Sequence, residues 1–284
     1  MESRDATSAG VVIQTLVTGF GYWGRVLTRN LLDHPDFFVA GIHDPSGESR
    51  SAARAANLYT FGTMQDALDA TTPQLVVVAS PIGTQVEAAM MALSRYAHVM
   101  IAKPGATIVK DVQRIDSLAQ RKGRVAVIDY TMRHAWPFQK MKAKAATWGN
   151  VLEVVAERNA VGSRTAAPIL YDMLVHDVAM LHALTDEPWR VRSVDRGESH
   201  LFVSLDTDSA VATLSARTDA DEQRRMMRIV YSGGDMSWDQ LADTPAATPV
   251  QRSLSNMACR IRTGDHDMTL EYRVTATLEE IEAA

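Results

Sequence analysis

The chain has 284 residues, 46% of them hydrophobic, and a formal net charge of −5. That length suits one large or two ordinary domains with substantial cores, and the acidic balance gives no electrostatic reason to expect nucleic acid or an anionic membrane as a partner. A lone cysteine, Cys259, excludes an intramolecular disulfide and is expected to be buried and inert in a reducing, cytoplasmic setting.

No apolar run reaches membrane-spanning length, and residues 1–10 lack the apolar core of a signal peptide, so they read as a disordered leader. An apolar strand over 11–18 then runs into Gly19-Phe-Gly-Tyr-Trp-Gly24, followed by a helical pattern over 25–32. Strand, G-x-G-x-x-G turn and helix in that order form the dinucleotide fingerprint. Gly19 serves the tight turn, Gly21 the close approach of a pyrophosphate, and Gly24 the packing of helix on sheet, with the helix amides facing the phosphates. Phe20, Tyr22 and Trp23 lie inside the turn and join the glycines as cofactor-binding candidates.

A second strand over 37–43 ends at Asp44, 20 residues beyond Gly24, close to the roughly 20 expected of the carboxylate that holds the adenosine ribose. Asp44-Pro-Ser-Gly47 is also a string of turn formers. An acid at this point repels a 2′-phosphate, which favours NAD, while the nearby Arg50 and Arg54 keep NADP open.

The alternation continues with a helix over 51–57, a short strand over 59–61, and a capping box at 63–66 opening a short helix. A strand over 75–79, a helix over 84–94, a strand over 97–102, a helix over 108–120 and a strand over 125–128 follow. Repeated βα units predict an α/β fold, a doubly wound parallel sheet over 11–130. The remainder, 131–284, is expected to form a smaller α+β domain with a mostly antiparallel open sheet. Its elements are a helix over 137–147, with Lys140, Lys142 and Lys144 as a solvated face, a strand over 151–157 and a helix over 170–184. Further strands are expected over 191–194, 201–205, 210–217, 226–231 and 268–274, with 242–249 a loop. Strands without intervening helices are antiparallel, so this sheet should be backed by one helix.

Open parallel sheets bind ligands beyond the carboxyl ends of their strands. Lys103 directly follows one such strand, and Pro104 favours an extended geometry for it. It reads either as a surface lysine or as a donor to a substrate oxygen that stabilises developing alkoxide charge. Asp172 and His176 are four residues apart and share one helix face, as an acid–base unit in which the carboxylate supports the imidazole, or as a pair that only stabilises the helix. Asp177 faces elsewhere, and His182 reads as a helix-terminal cap. No compact His/Cys/Asp spacing points to a metal, and hydride transfer needs none.

The combination of G-F-G-Y-W-G, Asp44, Val78-Ala-Ser-Pro-Ile82, Ala102-Lys-Pro104, Arg133 and Asp172-x-x-x-His176 resembles the Gfo/Idh/MocA oxidoreductases, from residue 11 to about 190. The resemblance implies an N-terminal Rossmann domain and a C-terminal open sheet that pairs face to face in a homodimer or homotetramer. It also implies hydride transfer between NAD or NADP and a hydroxyl or carbonyl carbon of a small polar metabolite such as a sugar, cyclitol or nucleotide sugar. Lys103 matches the lysine of the family's E-K-P motif, Asp172 and His176 match its D-x-x-x-H helix, and Ser80-Pro81 match the start of its T-P-N…H segment near the nicotinamide. Three positions depart from the pattern: Ala102 replaces the glutamate, Ile82 the asparagine and Gln85 the histidine. They leave room for a reductase of imines or unsaturated carbonyl compounds, or for a non-catalytic dinucleotide-binding sensor or scaffold. Arg133, Arg158, Arg164 and Tyr171 are candidate pocket residues, each with a structural or surface role as the alternative.

Overall fold

The computed structural model describes residues 12–161, 168–241 and 248–284. The leader expected over 1–10, most of the loop expected over 242–249, and Arg164 lie outside the described residues.

The first sheet is parallel, in the order β3-β2-β1-β4-β5-β6. Its strands are β1 (Ile13–Thr18), β2 (Phe37–His43), β3 (Thr60–Phe61), β4 (Leu75–Val78), β5 (His98–Ala102) and β6 (Ala126–Asp129). Every residue of β4 and β6 is buried, because helices cover both faces and a doubly covered strand carries an apolar run in place of alternation. The crossovers are α1 (Tyr22–Leu32), α2 (Gly47–Ala55), α3 (Met64–Thr71), α4 (Ile82–Ser94) and α5 (Val109–Lys122). Successive strands step one way from β1 to β3 and the other way from β1 to β6. The crevice therefore opens between the carboxyl ends of β1 and β4. The expected capping box opens α3 in altered form: the Thr63 hydroxyl accepts from the Asp66 amide at 3.2 Å and donates to its carboxylate at 2.7 Å.

A 3-10 turn, Thr131–His134, and α6 (Trp136–Trp148) lead out of this sheet. Next come β7 (Val151–Val161), a π-helical turn at Leu170–Leu174 that continues into α7 (Val175–Leu184), and β8 (Arg190–Arg196), β9 (His200–Asp206) and β10 (Val211–Arg217). The chain ends with β11 (Asp219–Tyr231), β12 (Gly234–Asp239), α8 (Pro249–Thr263) and α9 (Thr269–Ala283). The second sheet runs β12-β11-β7-β10-β9-β8, antiparallel at each pairing except β7 with β10. Along β10, Ala212, Leu214 and Ala216 are buried while Val211, Thr213 and Arg217 are exposed, so one face is packed and the other bare. The packed face lies on α6, α7 and α9. Among the described residues no helix is long and apolar enough to cross a membrane.

Several expectations need correction. The strand expected over 268–274 is the first half of α9. Leu270, Tyr272 and Val274 alternate as in a strand, but Val274, Leu278 and Ile281 fall at helical spacing, and over fifteen residues the longer period wins. The helix α8 was not expected, although its signal is in the sequence. Thr248 and Gln251 form a capping box around Pro249 in the first turn, and Gly264 closes the helix at φ +69°. Its Val250, Leu254 and Met257 join Val17, Leu27 and Leu31 in the core of the first sheet, so the chain returns there after the second. The second sheet is accordingly backed by three helices and not one. Strand β12 was missed, and Cys259 is exposed on α8 instead of buried. His182 caps nothing; its Nε2 pairs with the Thr277 hydroxyl of α9 at 2.8 Å, which ties two buried helices together.

Candidate active site

The glycine turn joins the first strand to α1 as its residue types require. Gly19 has φ +92°, and a Cβ there would sit 2.6 Å from the Ala79 carbonyl oxygen, so only glycine lets the ends of β1 and β4 meet. A Cβ on Gly24 would lie 2.0 Å from the Gly19 oxygen, which makes the α1–turn contact possible only without one. Gly21 differs: a Cβ there meets nothing within 4 Å. It is the N-cap of α1, with no side chain bonded to the first-turn amides. Bare backbone and uncapped amides are what an anionic diphosphate needs, so the turn fits a dinucleotide.

Asp44 stands at the end of β2, buried, and reaches back to this turn. Its Oδ2 accepts from the Phe20 amide at 2.7 Å and its Oδ1 from the Ser46 amide at 2.8 Å. The acid thus fixes the turn as well as standing where a ribose would lie. Arg50 donates to the carbonyl oxygens of Asp44 and Pro45 at 2.7 and 2.8 Å, and Arg54 to Thr60 and Ser51. The Phe20 side chain is buried in the core, Trp23 is half-buried against it, and Tyr22 is 84% exposed. Pro81 is the N-cap of α4, and the Ser80 hydroxyl accepts from Thr84 at 2.9 Å.

Lys103 lies two strands away, beyond the end of β5, where a cis Lys103–Pro104 bond and Gly105 at φ +74° turn the chain. The Gln85 side chain, buried on α4, accepts the Gly105 amide at 3.1 Å. The residue that replaces the family histidine therefore braces the turn that carries Lys103. Lys103 Nζ donates to the Asp172 carboxylate at 2.9 Å and backbone oxygen at 2.6 Å, with the Tyr171 oxygen at 3.4 Å. Burial lowers its pKa below the usual lysine value, Asp172 opposes that shift, and the nearby Arg158 and Arg225 add to it.

The pairing of Asp172 with His176 takes a different form from the one expected. Four-residue spacing puts two side chains on one face only at 3.6 residues per turn, and Asp172 lies in the π-helical turn, which inserts an extra residue. Its carboxylate turns to Lys103, and no described hydrogen bond links it to the imidazole. His176 is half-buried with Nδ1 unpartnered. Its pKa falls well below the usual histidine value through burial first, then the charges of Lys103, Arg158 and Arg225. The imidazole is neutral at neutral pH.

Arg158 belongs to the wall. It is buried on β7 and forms a two-pronged pair with the equally buried Asp177, at 2.5 and 2.8 Å. Tyr171 points away from the crevice; its hydroxyl is raised by burial and sits among the charges of Glu282, Arg196 and Glu279. Arg133 lies on the 3-10 turn after β6, its Nε 3.4 Å from His134 Nε2. Two residues here had no sequence signal. Asp129 ends β6 opposite Ala102 in register and accepts from the hydroxyls of Thr131 and Ser253 at 2.7 and 2.6 Å, pinning α8 to the strand ends. Arg225 reaches the site from β11, brought there only by sheet register.

A dinucleotide cradle at the switch point of a parallel sheet, with a partly buried lysine–carboxylate pair beyond a neighbouring strand end, defines a pyridine-nucleotide-dependent oxidoreductase. The model of the GFO_IDH_MocA oxidoreductase family, with an NAD-binding Rossmann fold, matches residues 13–130. It is through that domain that the chain resembles the Gfo/Idh/MocA oxidoreductases. A search of curated proteins found no match.

Solved structures share the whole architecture. UDP-N-acetylglucosamine 3-dehydrogenase GnnA from Acidithiobacillus ferrooxidans superposes with TM-score 0.85 at 20% identity, over 97% of this chain and 98% of that one. A myo-inositol dehydrogenase from Corynebacterium glutamicum gives 0.80 at 17%, over 96% and 95%. GenD2 from gentamicin A biosynthesis, in complex with NAD, gives 0.83 at 17%, over 98% and 94%. At these identities the likeness is one of fold.

Proposed function

We propose that the protein moves a hydride between NAD and a carbon bearing a hydroxyl or carbonyl group on a small polar metabolite of the sugar, cyclitol or nucleotide-sugar kind. The observation that carries this reading is Lys103, a partly buried ammonium held by Asp172 at the carboxyl end of the parallel sheet that also carries the glycine turn. The nicotinamide, when bound, gives or takes the hydride. Lys103 donates a hydrogen bond to the reacting oxygen and stabilises negative charge as it develops there. Its lowered pKa eases proton exchange with that oxygen. Asp172 orients Lys103, and the neutral His176 accepts the proton of a substrate hydroxyl. Asp44 supports NAD over NADP by repelling a 2′-phosphate, and Arg50 Nη1 at that corner donates to two backbone oxygens.

The test is Lys103→Met and His176→Ala, assayed against a panel of sugars, cyclitols and nucleotide sugars with NAD and NADP. Both variants should bind NADH as the parent does and lose turnover by about 10²- to 10⁴-fold. Undiminished turnover in both would sink the assignment. The bare face of the second sheet, where Val155 and Val211 are 38% and 53% exposed, supports a homodimer or homotetramer built on that face. Light scattering should return a multiple of 31.2 kDa; the mass of one chain would refute it.

A further inference from the structure

Strand β12 ends the second sheet beside β11, and it packs on α6. Trp238 stands opposite Met227 in register, and the Gln240 amide donates to the Arg225 oxygen at 2.8 Å, which carries the ladder one pair further. Side chains two apart on a strand share a face, so Gln240 joins Trp238 on the inner side of the sheet. The neighbouring Arg225 stands opposite Arg158, and its charge reaches Lys103 and His176. That end of β12 therefore borders the crevice. Trp238 is 5% exposed, and its indole Nε1 has no hydrogen-bond partner. Gln240 is half-buried, and both its Oε1 and its Nε2 are buried and unpartnered. His176 Nδ1 is unpartnered too, but proton exchange with the substrate accounts for it. The three atoms of β12 have no such account.

We propose that Gln240 and Trp238 are specificity residues that bind a hydroxyl group of the substrate other than the one that reacts. The inference rests on the oxidoreductase reading for the identity of the crevice. An unpaired buried donor or acceptor lowers the folding equilibrium constant by about five- to a hundredfold, and an apolar side chain of similar size avoids that loss. Such a cost, kept beside reactive groups, fits polar atoms whose partner arrives with the ligand. A hydroxyl donates once and accepts twice. Gln240 Oε1 takes its proton, while Gln240 Nε2 and Trp238 Nε1 donate to its oxygen, so one hydroxyl satisfies all three atoms. An ionised carboxylate only accepts and would leave Oε1 unpaired. The site therefore rejects an analogue that lacks the hydroxyl, because the polar atoms are then buried without a partner. A hydroxyl held there also fixes how the rest of the molecule faces Lys103.

Two measurements on Gln240→Leu and Trp238→Phe test this. In urea unfolding without ligand, Gln240→Leu should be at least as stable as the parent, since it removes unpaired polar atoms and keeps the volume. A fall of about tenfold or more in its folding equilibrium constant would show that the carboxamide is already paired within the protein, and overturns the inference. In calorimetric titration with glucose, myo-inositol and UDP-N-acetylglucosamine, each with and without NADH, the parent should bind at least one of the three. Gln240→Leu should weaken that binding by about ten- to a hundredfold and Trp238→Phe by about tenfold. Ser237→Ala, altered at an exposed position on the outer face of the same strand, should change neither measurement. Equal affinity in the parent and Gln240→Leu, or no binding of any of the three compounds, also overturns the inference. Binding by the parent without turnover would strike the oxidoreductase reading alone.

Discussion

The two ends of the crevice are built from different materials. The cofactor end is mostly backbone: a glycine at φ +92°, a bare glycine at the N-cap of α1, and a carboxylate whose oxygens take two main-chain amides. The proposed substrate end is mostly side chains, drawn from the end of β5, a π-helical turn, α7, β7 and β11. A site made of backbone depends on residues that permit unusual conformations, and these sit close together in the chain. A site made of side chains depends on which strand lies opposite which. The first kind suits a ligand of fixed chemistry. The second can be rebuilt for a new substrate without disturbing it, which accords with one fold serving a nucleotide-sugar and a cyclitol dehydrogenase.

The largest effect should come from the substrate wall. Arg158 and Asp177 are 5% and 0% exposed at their side chains, and removing one partner leaves the other as an uncompensated buried charge. Arg158→Met should cost about 3–5 kcal/mol in urea unfolding. The double variant with Asp177→Leu should recover most of that loss, because a well-packed apolar pair can replace a buried ion pair. A cost for Arg158→Met no larger than a typical surface substitution, about 0.5 kcal/mol, would mean that the wall does not depend on the pair. The contrast between a side-chain end and a backbone end would then be weaker.

The same contrast explains what the sequence disclosed. Gly19, Gly21, Gly24 and Asp44 were legible because spacing and residue type together carry their meaning, and the structure brings them to one corner. Strands β4, β5 and β6 were legible because buried parallel strands are near-continuous apolar runs. Lys103 and Asp172 were found as residues but not as a pair, since nothing in the sequence announces that a π-helical turn will swing Asp172 from His176 to Lys103. Gln85 looked like a loss until its bond to the Gly105 amide showed it bracing the lysine turn. Arg225 and Asp129 were invisible because only strand register brings them beside Arg158 and Ala102. Capping of α8 was in the sequence, in Thr248, Pro249 and Gln251, and went unused.

The smaller effects belong to the cofactor end, where two glycines of one turn separate folding from binding. In Gly24→Ala the new Cβ meets a carbonyl oxygen at 2.0 Å, and backbone cannot rotate aside as a side chain does. The helix must shift away from the turn, at a cost of about 1–3 kcal/mol, with the amide cradle moved along with it. Thermal unfolding and NADH titration should both register the change. Gly21→Ala adds its methyl to open space from a backbone at φ −70°, a conformation alanine accepts. Stability should stay within about 0.5 kcal/mol of the parent. The same methyl stands where a diphosphate would approach the first-turn amides, so NADH affinity should fall by about tenfold. A loss of binding without a loss of stability would show that the open space over Gly21 is reserved for the ligand. Unchanged NADH affinity in Gly21→Ala would place the phosphates elsewhere on the turn, and the uncapped N-terminus of α1 would need another explanation.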